Sequence, residues 1–217
     1  MVKYYKYTLL FFTISIFGCY NDDDNQVVEA FNATHKSSEL TSVIKSITSH
    51  DGSFDDHIDN TSCFSLVFPY QLKINSKSQT FTSSRELLTI NDTDEIEIVF
   101  PISIALKNYQ IFEVNSSSEL MTHKSICEES LHIESNSCLD LVYSITIKEF
   151  NELNGTFETF HFTNNKDIYL YLEELHDSDV YEIQYPISLT DNNSETTIIN
   201  SNHEFIEAYE FVDSYCD

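Results

Sequence analysis

The densest set of potential ligand side chains is His50-Asp51-Gly52-Ser53-Phe54-Asp55-Asp56-His57-Ile58-Asp59-Asn60. Its four carboxylates, Asp51, Asp55, Asp56 and Asp59, offer hard oxygens of the kind that hold Ca²⁺. The spacing is not that of an EF-hand loop, whose ligands alternate and end in a glutamate. The same residues also suit an acidic linker that enters a folded module and holds no metal. A second acidic run, Asn91-Asp92-Thr93-Asp94-Glu95-Ile96-Glu97, reads as a connection at Asp92 and Asp94. It continues into a strand that exposes Glu95 and Glu97. Its other reading is an acidic surface that meets a partner.

Motifs for catalysis are missing. The eight histidines, at 35, 50, 57, 123, 132, 161, 176 and 203, are scattered. No H-E-x-x-H metalloprotease helix and no G-x-S-x-G hydrolase elbow occurs. Serines are so abundant that a Ser-His-Asp set can be written on paper for almost any such chain, so none is assigned. The 13 tyrosines and 16 phenylalanines could stack on sugars, but there is no tryptophan. Phe157, Phe160 and Phe162 around Thr159 and His161 read better as core and cross-strand pairs of a strand. A glycan ligand stays an alternative to a protein ligand.

Composition narrows the classes further. The chain has 217 residues and is 41% hydrophobic, enough for one medium domain or two small ones. Lysine plus arginine number 11 against 36 acids, a formal charge of −25. That excludes nucleic acid as an ordinary partner, because neutralising phosphates needs a basic face. It also excludes a basic patch held on anionic lipid. Three glycines cannot build glycine-rich phosphate loops.

The N-terminus carries Lys3 and Lys6, then an apolar run from Thr8 to Phe17. The run is ~10 residues, half of what a spanning helix needs, so residues 1–18 read as a cleaved signal peptide. It ends Ile16-Phe17-Gly18-Cys19, which resembles the lipobox of bacterial lipoproteins, with Phe17 bulkier than is usual there. The resemblance implies cleavage before Cys19, diacylglycerol on its thiol and attachment to a membrane. Tyr20-Asn21-Asp22-Asp23-Asp24-Asn25 follows. An acidic cluster at this place resembles the surface-export signal of Bacteroidota lipoproteins, which implies an outer-membrane protein facing outward. The plainer reading is a solvated acidic spacer. Residues 19–26 are expected to be a tether.

The rest of the chain repeats itself. Val99-Phe100-Pro101-Ile102-Ser103-Ile104 matches Gln184-Tyr185-Pro186-Ile187-Ser188-Leu189, and Asn115-Ser116-Ser117-Ser118-Glu119-Leu120 matches Asn200-Ser201-Asn202-His203-Glu204-Phe205 at the same offset. Val67-Phe68-Pro69-Tyr70-Gln71-Leu72 and Val142-Tyr143-Ser144-Ile145-Thr146-Ile147 head two more units, each after a Ser-Cys step. Each unit reads as a strand through the aromatic-Pro stretch, a polar turn, a second strand and a short helix. Ser116-x-x-Glu119 and Ser201-x-x-Glu204 fit capping boxes that start the helices. Pro69, Pro101 and Pro186 belong on an edge or near a strand end, because proline lacks the ladder donor. The expected fold is α+β and β-rich, with two tandem modules at 61–130 and 131–217, each of two β-β-α units. Residues 27–60 form a helical and acidic lead-in, with a capped amphipathic helix over Ser37–Ile47.

From Ser62 to Cys216 the pattern resembles a group of uncharacterised Bacteroidota lipoproteins of flavobacterial type. No activity comes with that resemblance. Setting Cys19 aside for lipid leaves Cys63, Cys127, Cys138 and Cys216, an even set suited to two disulfides in an oxidising compartment. Three pairings are open. One cysteine opens the first strand of each half and another ends its last helix, which favours Cys63–Cys127 and Cys138–Cys216. No C-x-x-C pair is present to favour zinc. The functional expectation is a lipid-anchored envelope protein whose body is a non-enzymatic binding, adhesion or accessory module. The alternative is a divalent-cation-dependent enzyme or enzyme accessory that uses Asp51–Asp59.

Overall fold

The computed structural model describes residues 32–130, 138–151 and 155–214. The leader, Cys19, the tether and Cys216 lie outside the described residues, as do residues 27–31 of the lead-in. The lead-in supplies β1 (Thr34–His35), α1 (Glu39–Thr48) and the single turn α2 (Asp56–Asp59). The first module follows as β2 (Phe64–Leu66), β3 (Tyr70–Ile74), β4 (Lys77–Phe81), α3 (Ser84–Leu87), β5 (Ile96–Val99), β6 (Ile102–Leu106), β7 (Ile111–Val114) and α4 (Ser117–Ser130). The second repeats that order as β8 (Leu139–Val142), β9 (Ile145–Asn151), β10 (Thr156–Phe162), α5 (Asn165–Glu174), β11 (Val180–Ile183), β12 (Ile187–Asp191), β13 (Thr196–Ile199) and α6 (Asn202–Asp213).

The turns and caps follow from local chemistry. Asn75 (φ 48°) and Ser76 (φ 69°) turn β3 into β4, and Ser194 (φ 64°) lies in the β12–β13 turn. Tyr109 also takes a left-handed conformation (φ 64°), although an aromatic residue gives no sequence signal for it. The Glu119 amide donates to Ser116 Oγ at 3.3 Å, and Glu119 Oε2 accepts from the Asn115 amide at 2.8 Å. Ser201, Glu204 and Asn200 repeat this arrangement at α6. Both capping boxes therefore form, although the glutamate reaches one residue further back than the cap itself. Ser38 caps α1 by accepting from the Thr41 amide.

The expected strand through each proline is corrected by the structure. The chain makes two strands there, one ending before the proline and one starting after it. A ladder cannot run through a residue that has no donor. The peptide bonds before Pro69, Pro101 and Pro186 are cis, and so is the bond before Ser144 at the fourth equivalent position. At each of these points the chain leaves one sheet and enters another. The unit is thus a leading strand, a hairpin and a helix.

The leading strands are exchanged. Each hairpin takes as its third strand the leading strand of the sister unit. In the first module the sheets run β4-β3-β5 and β2-β6-β7, all antiparallel. Leu72 sits opposite Ile98, and Leu66 sits opposite Ile104. In the second module β8-β12-β13 matches β2-β6-β7. The other sheet, β1-β11-β9-β10, matches β5-β3-β4 with β1 added outside β11.

Asn32–Asp217 belong to one compact unit in which each module keeps its own apolar core. Leu72, Phe64, Phe81 and Ile104 centre the first, and Ile147, Leu172, Tyr181 and Phe205 the second. The lead-in helix joins the second core, although the first module follows it in the chain. Leu40, Val43, Ile44 and Ile47 of α1 are buried there, against α5, α6 and β8. Ser38 and Thr41 anchor its start, and Thr41 Oγ1 meets the Tyr181 hydroxyl at 2.8 Å. The modules meet where Tyr109 Oη donates to the Thr48 carbonyl at 2.8 Å and packs edge-on against Tyr169.

Cys63 and Cys127 form a disulfide across 64 residues, tying the entry of β2 to the end of α4. Closing a loop of that length stabilises the folded state by about 4 kcal/mol in the chain-entropy model. Among the described residues this is the one bond with both cysteines visible. Cys138 is buried, and its expected partner Cys216 lies outside the described residues, so of the two expected disulfides one is shown.

Ile44, 1% exposed, sits at the centre of the α1 contact. Ile44→Ala is expected to destabilise the chain by about 2–5 kcal/mol. Hydrogen exchange should quicken in β11 and α6 while β3 and β6 keep their protection. Equal loosening of both modules would show that α1 does not belong to one core.

Candidate functional site

The segment from His50 to Asn60 lies across the entry to the first module. Gly52 permits this, because a Cβ there would stand 2.7 Å from the Ser62 carbonyl and 3.0 Å from the Phe64 amide. Only glycine lets the two backbones pass so closely. Asp51 is exposed, and its Oδ1 accepts from the Ser53 amide and hydroxyl, a local turn. The remaining three carboxylates face inward around α2.

Each inward carboxylate has one oxygen in use. Asp55 Oδ2 accepts from the Leu66 amide at 2.7 Å, which satisfies a donor on the outer side of β2. Asp56 Oδ2 accepts from Ser62 Oγ at 2.7 Å, and Asp59 Oδ1 from the Thr61 amide at 3.1 Å. The other oxygens, Asp55 Oδ1, Asp56 Oδ1 and Asp59 Oδ2, are buried without a hydrogen-bond partner, and so is the Tyr70 hydroxyl. Asp55 is 0%, Tyr70 4% and Asp59 8% exposed. Leaving such groups unsatisfied is costly, so a proton, a water or a cation must answer them.

Burial raises the Asp55 carboxyl to about 7, with Asp56 and Asp51 adding repulsion against the Leu66 hydrogen bond. Burial also raises Asp59 to about 8, the neighbouring Asp55 charge adding to it and Lys124 opposing it. The Tyr70 phenol is held well above its ordinary value by burial and then by the same two aspartates. The arrangement can therefore keep a proton near neutral pH or attract a cation. Among the described residues, however, no three carboxylate, imidazole or thiol groups converge as a ready ligand set.

Beside this cluster opens a cleft of about 920 Å³. Asp59 stands in its wall with Ile58 and Asn60. The other walls are β5 and the first turns of α4. Lys124 of α4 donates to the Asn60 carbonyl across it.

The other expected residues fall elsewhere. Asp94 closes the connection before β5, accepting from the Asn91 amide and the Asn75 side chain, which holds its carboxyl below the usual range. Glu97 lies on the exposed face of β5 and pairs with Lys73 at 3.0 Å. His50 Nε2 lies 2.6 Å from Ser65 Oγ, but Ser65 is 1% exposed, so a substrate carbonyl cannot reach it. Burial holds His50 below its ordinary value, which suits a neutral ring that ties the loop to β2. Tyr70 was not foreseen as part of the cluster. Its only sequence signal is its place directly after Pro69 in the repeat.

No known protein family matches the chain, and neither a characterised protein nor a solved structure matches it.

An acid with a raised folded pKa binds its proton more tightly when folded than when unfolded. Its contribution is therefore fully favourable below about pH 4, the unfolded aspartate value, and is lost as pH rises through the folded value near 8. With chelator present, Asp59→Asn should gain in melting temperature over wild type on going from pH 5.5 to pH 8.5. Parallel pH curves for the two proteins would show that Asp59 does not carry the proton.

Proposed function

We propose that this chain is a lipid-anchored protein of the outer membrane, facing outward, whose body is a non-enzymatic binding, adhesion or accessory module. The observation that carries the reading is the leader: two lysines, a short apolar run, and Ile16-Phe17-Gly18-Cys19 directly before the acidic Asp22-Asp23-Asp24. The Cys63–Cys127 bond supports an oxidising compartment. The cleft beside α2 supports a binding role, since concave sites with mixed apolar and polar walls take ligands. The resemblance to Bacteroidota lipoproteins points to the same place in the cell. In cells fed labelled palmitate, the wild-type chain should take up label and Cys19→Ala should not. External protease should then remove the wild-type body from intact cells. Label on Cys19→Ala would overturn the anchor, and survival in intact cells with loss after lysis would overturn outward exposure.

A second reading, a divalent-cation-dependent enzyme or enzyme accessory at the Asp51–Asp59 segment, is favoured by the three unpartnered carboxylate oxygens of Asp55, Asp56 and Asp59. Hard cations take such oxygens. On this reading millimolar Ca²⁺ raises the melting temperature of the wild type but not of Asp55→Asn/Asp59→Asn. An unchanged wild-type melting curve removes it.

A further inference from the structure

The two modules differ in how one surface is covered, and the difference falls on the cleft. Positions in the second half of each module correspond at a fixed offset, Ile102 opposite Val114 matching Ile187 opposite Ile199. By that offset β5 matches β11, and Glu97 opposite Lys73 matches Glu182 opposite Lys148. The outer edge of β11 is paired by β1, Thr34 standing opposite Tyr181. The outer edge of β5 is paired by no strand among the described residues.

Four side chains of the second module hold the β1–α1 segment. Glu182 Oε1 accepts from the Asn32 amide at 3.1 Å, and Asn202 Nδ2 donates to Thr34 Oγ1 at 3.1 Å. The Tyr181 hydroxyl meets Thr41 Oγ1 at 2.8 Å, and the Tyr209 hydroxyl meets Ser46 Oγ at 3.2 Å. Their counterparts in the first module are Glu97, Ser117, Ile96 and Lys124, and all four line the 920 Å³ cleft. Met121 of the cleft is 67% exposed, whereas its counterpart Ile206 packs against the second core. By these counterparts the cleft corresponds to part of the place that β1 and α1 fill on the other module, with Asn60 of the lead-in standing against Lys124.

We propose that this cleft is a docking groove for a segment of a partner protein. The segment adds an extended strand antiparallel to β5 and then lays an amphipathic helix along α4. Strand addition to an open edge draws affinity from main-chain hydrogen bonds, and helix docking draws it from apolar contacts. The occupant's chemistry follows from the walls. Glu97, exposed on β5, favours a basic segment, and Met121 with Ile96 favours apolar residues at helical spacing. The segment in the equivalent place, Asn32–Thr48, carries Lys36 and Lys45 against one acid, Glu39, in a chain of charge −25. This inference deepens the binding-module reading and rests on it. Failure of the groove would leave palmitate labelling and surface exposure untouched, so the two fail separately.

The test uses the full chain and a labelled synthetic peptide of sequence Asn32–Thr48. Saturable binding in fluorescence polarisation is expected, weakened at least tenfold by Met121→Asp and by Glu97→Lys, both at solvent-exposed positions. Hydrogen exchange at Ile96–Val99 should slow when peptide is added, with β11 unchanged. Sedimentation of the chain alone should show a monomer. No saturation at millimolar peptide would overturn the groove. Binding indifferent to Met121→Asp, with β1 and α1 released, would assign the peptide to the second module instead. Self-association lost in Met121→Asp would assign the groove to a second copy, against a partner protein.

Discussion

Each hairpin of this protein is completed by a strand from its sister unit, and the rest of the structure depends on that exchange. A two-stranded hairpin is marginal in water, and three strands with an apolar face are the least that hold. Each unit carries only its own hairpin and a leading strand that cannot reach it. At three of the four units a proline without a ladder donor stands at the break, and at all four, Ser144 included, the chain passes to the other sheet. Two units therefore fold only as a pair. The disulfide from Cys63 to Cys127 joins the first strand of one unit to the helix of the other, reinforcing the same pairing.

Exchange settles the inner pairings and leaves edges. An open strand edge is a liability that proteins cover, shorten or charge. This chain uses different means at different edges. The outer side of β2 is met by the Asp55 carboxylate, which takes the Leu66 amide. That explains why an aspartate is fully buried in the entry segment: its first task is to close a strand. The remaining oxygen, with those of Asp56 and Asp59 and the Tyr70 hydroxyl, is left over from that geometry and makes the cluster chemically notable. The outer side of β11 is covered by β1 and the helix that follows it. The outer side of β5 carries Glu97 and faces a cleft.

The unequal treatment of β5 and β11 gives the two copies of one module different surfaces among the described residues. In one, the lead-in segment is part of the core, and its removal would expose Tyr181 and Phe205, which are buried. In the other, Leu120 is buried but Met121 is open. The duplicated scaffold has this face covered from within on one module, and on the other it borders a cleft among the described residues.

The amino-acid order by itself determined the repeat and the helix starts and favoured the first disulfide among three pairings, because these are local or follow from duplication. Ser116 with Glu119 and Ser201 with Glu204 make capping boxes within one turn of chain, and the spacing of Cys63 and Cys127 marks one module. Alternating apolar residues placed β3, β6, β9 and β12 correctly. The strands before the prolines were legible as β-formers but not as separate elements, since nothing local says which sheet a residue joins. Asp55, Asp56 and Asp59 were legible as a cluster. Their inward orientation and the approach of Tyr70 were not, because both depend on Gly52 letting the entry segment cross β2. Only the tertiary structure decided that strands are exchanged, that α1 joins the second core past the whole first module, and that no strand among the described residues pairs the outer edge of β5. Each is a pairing between residues far apart in the chain, and the free energy that selects it comes from burial and hydrogen bonding that exist only once both partners are in place.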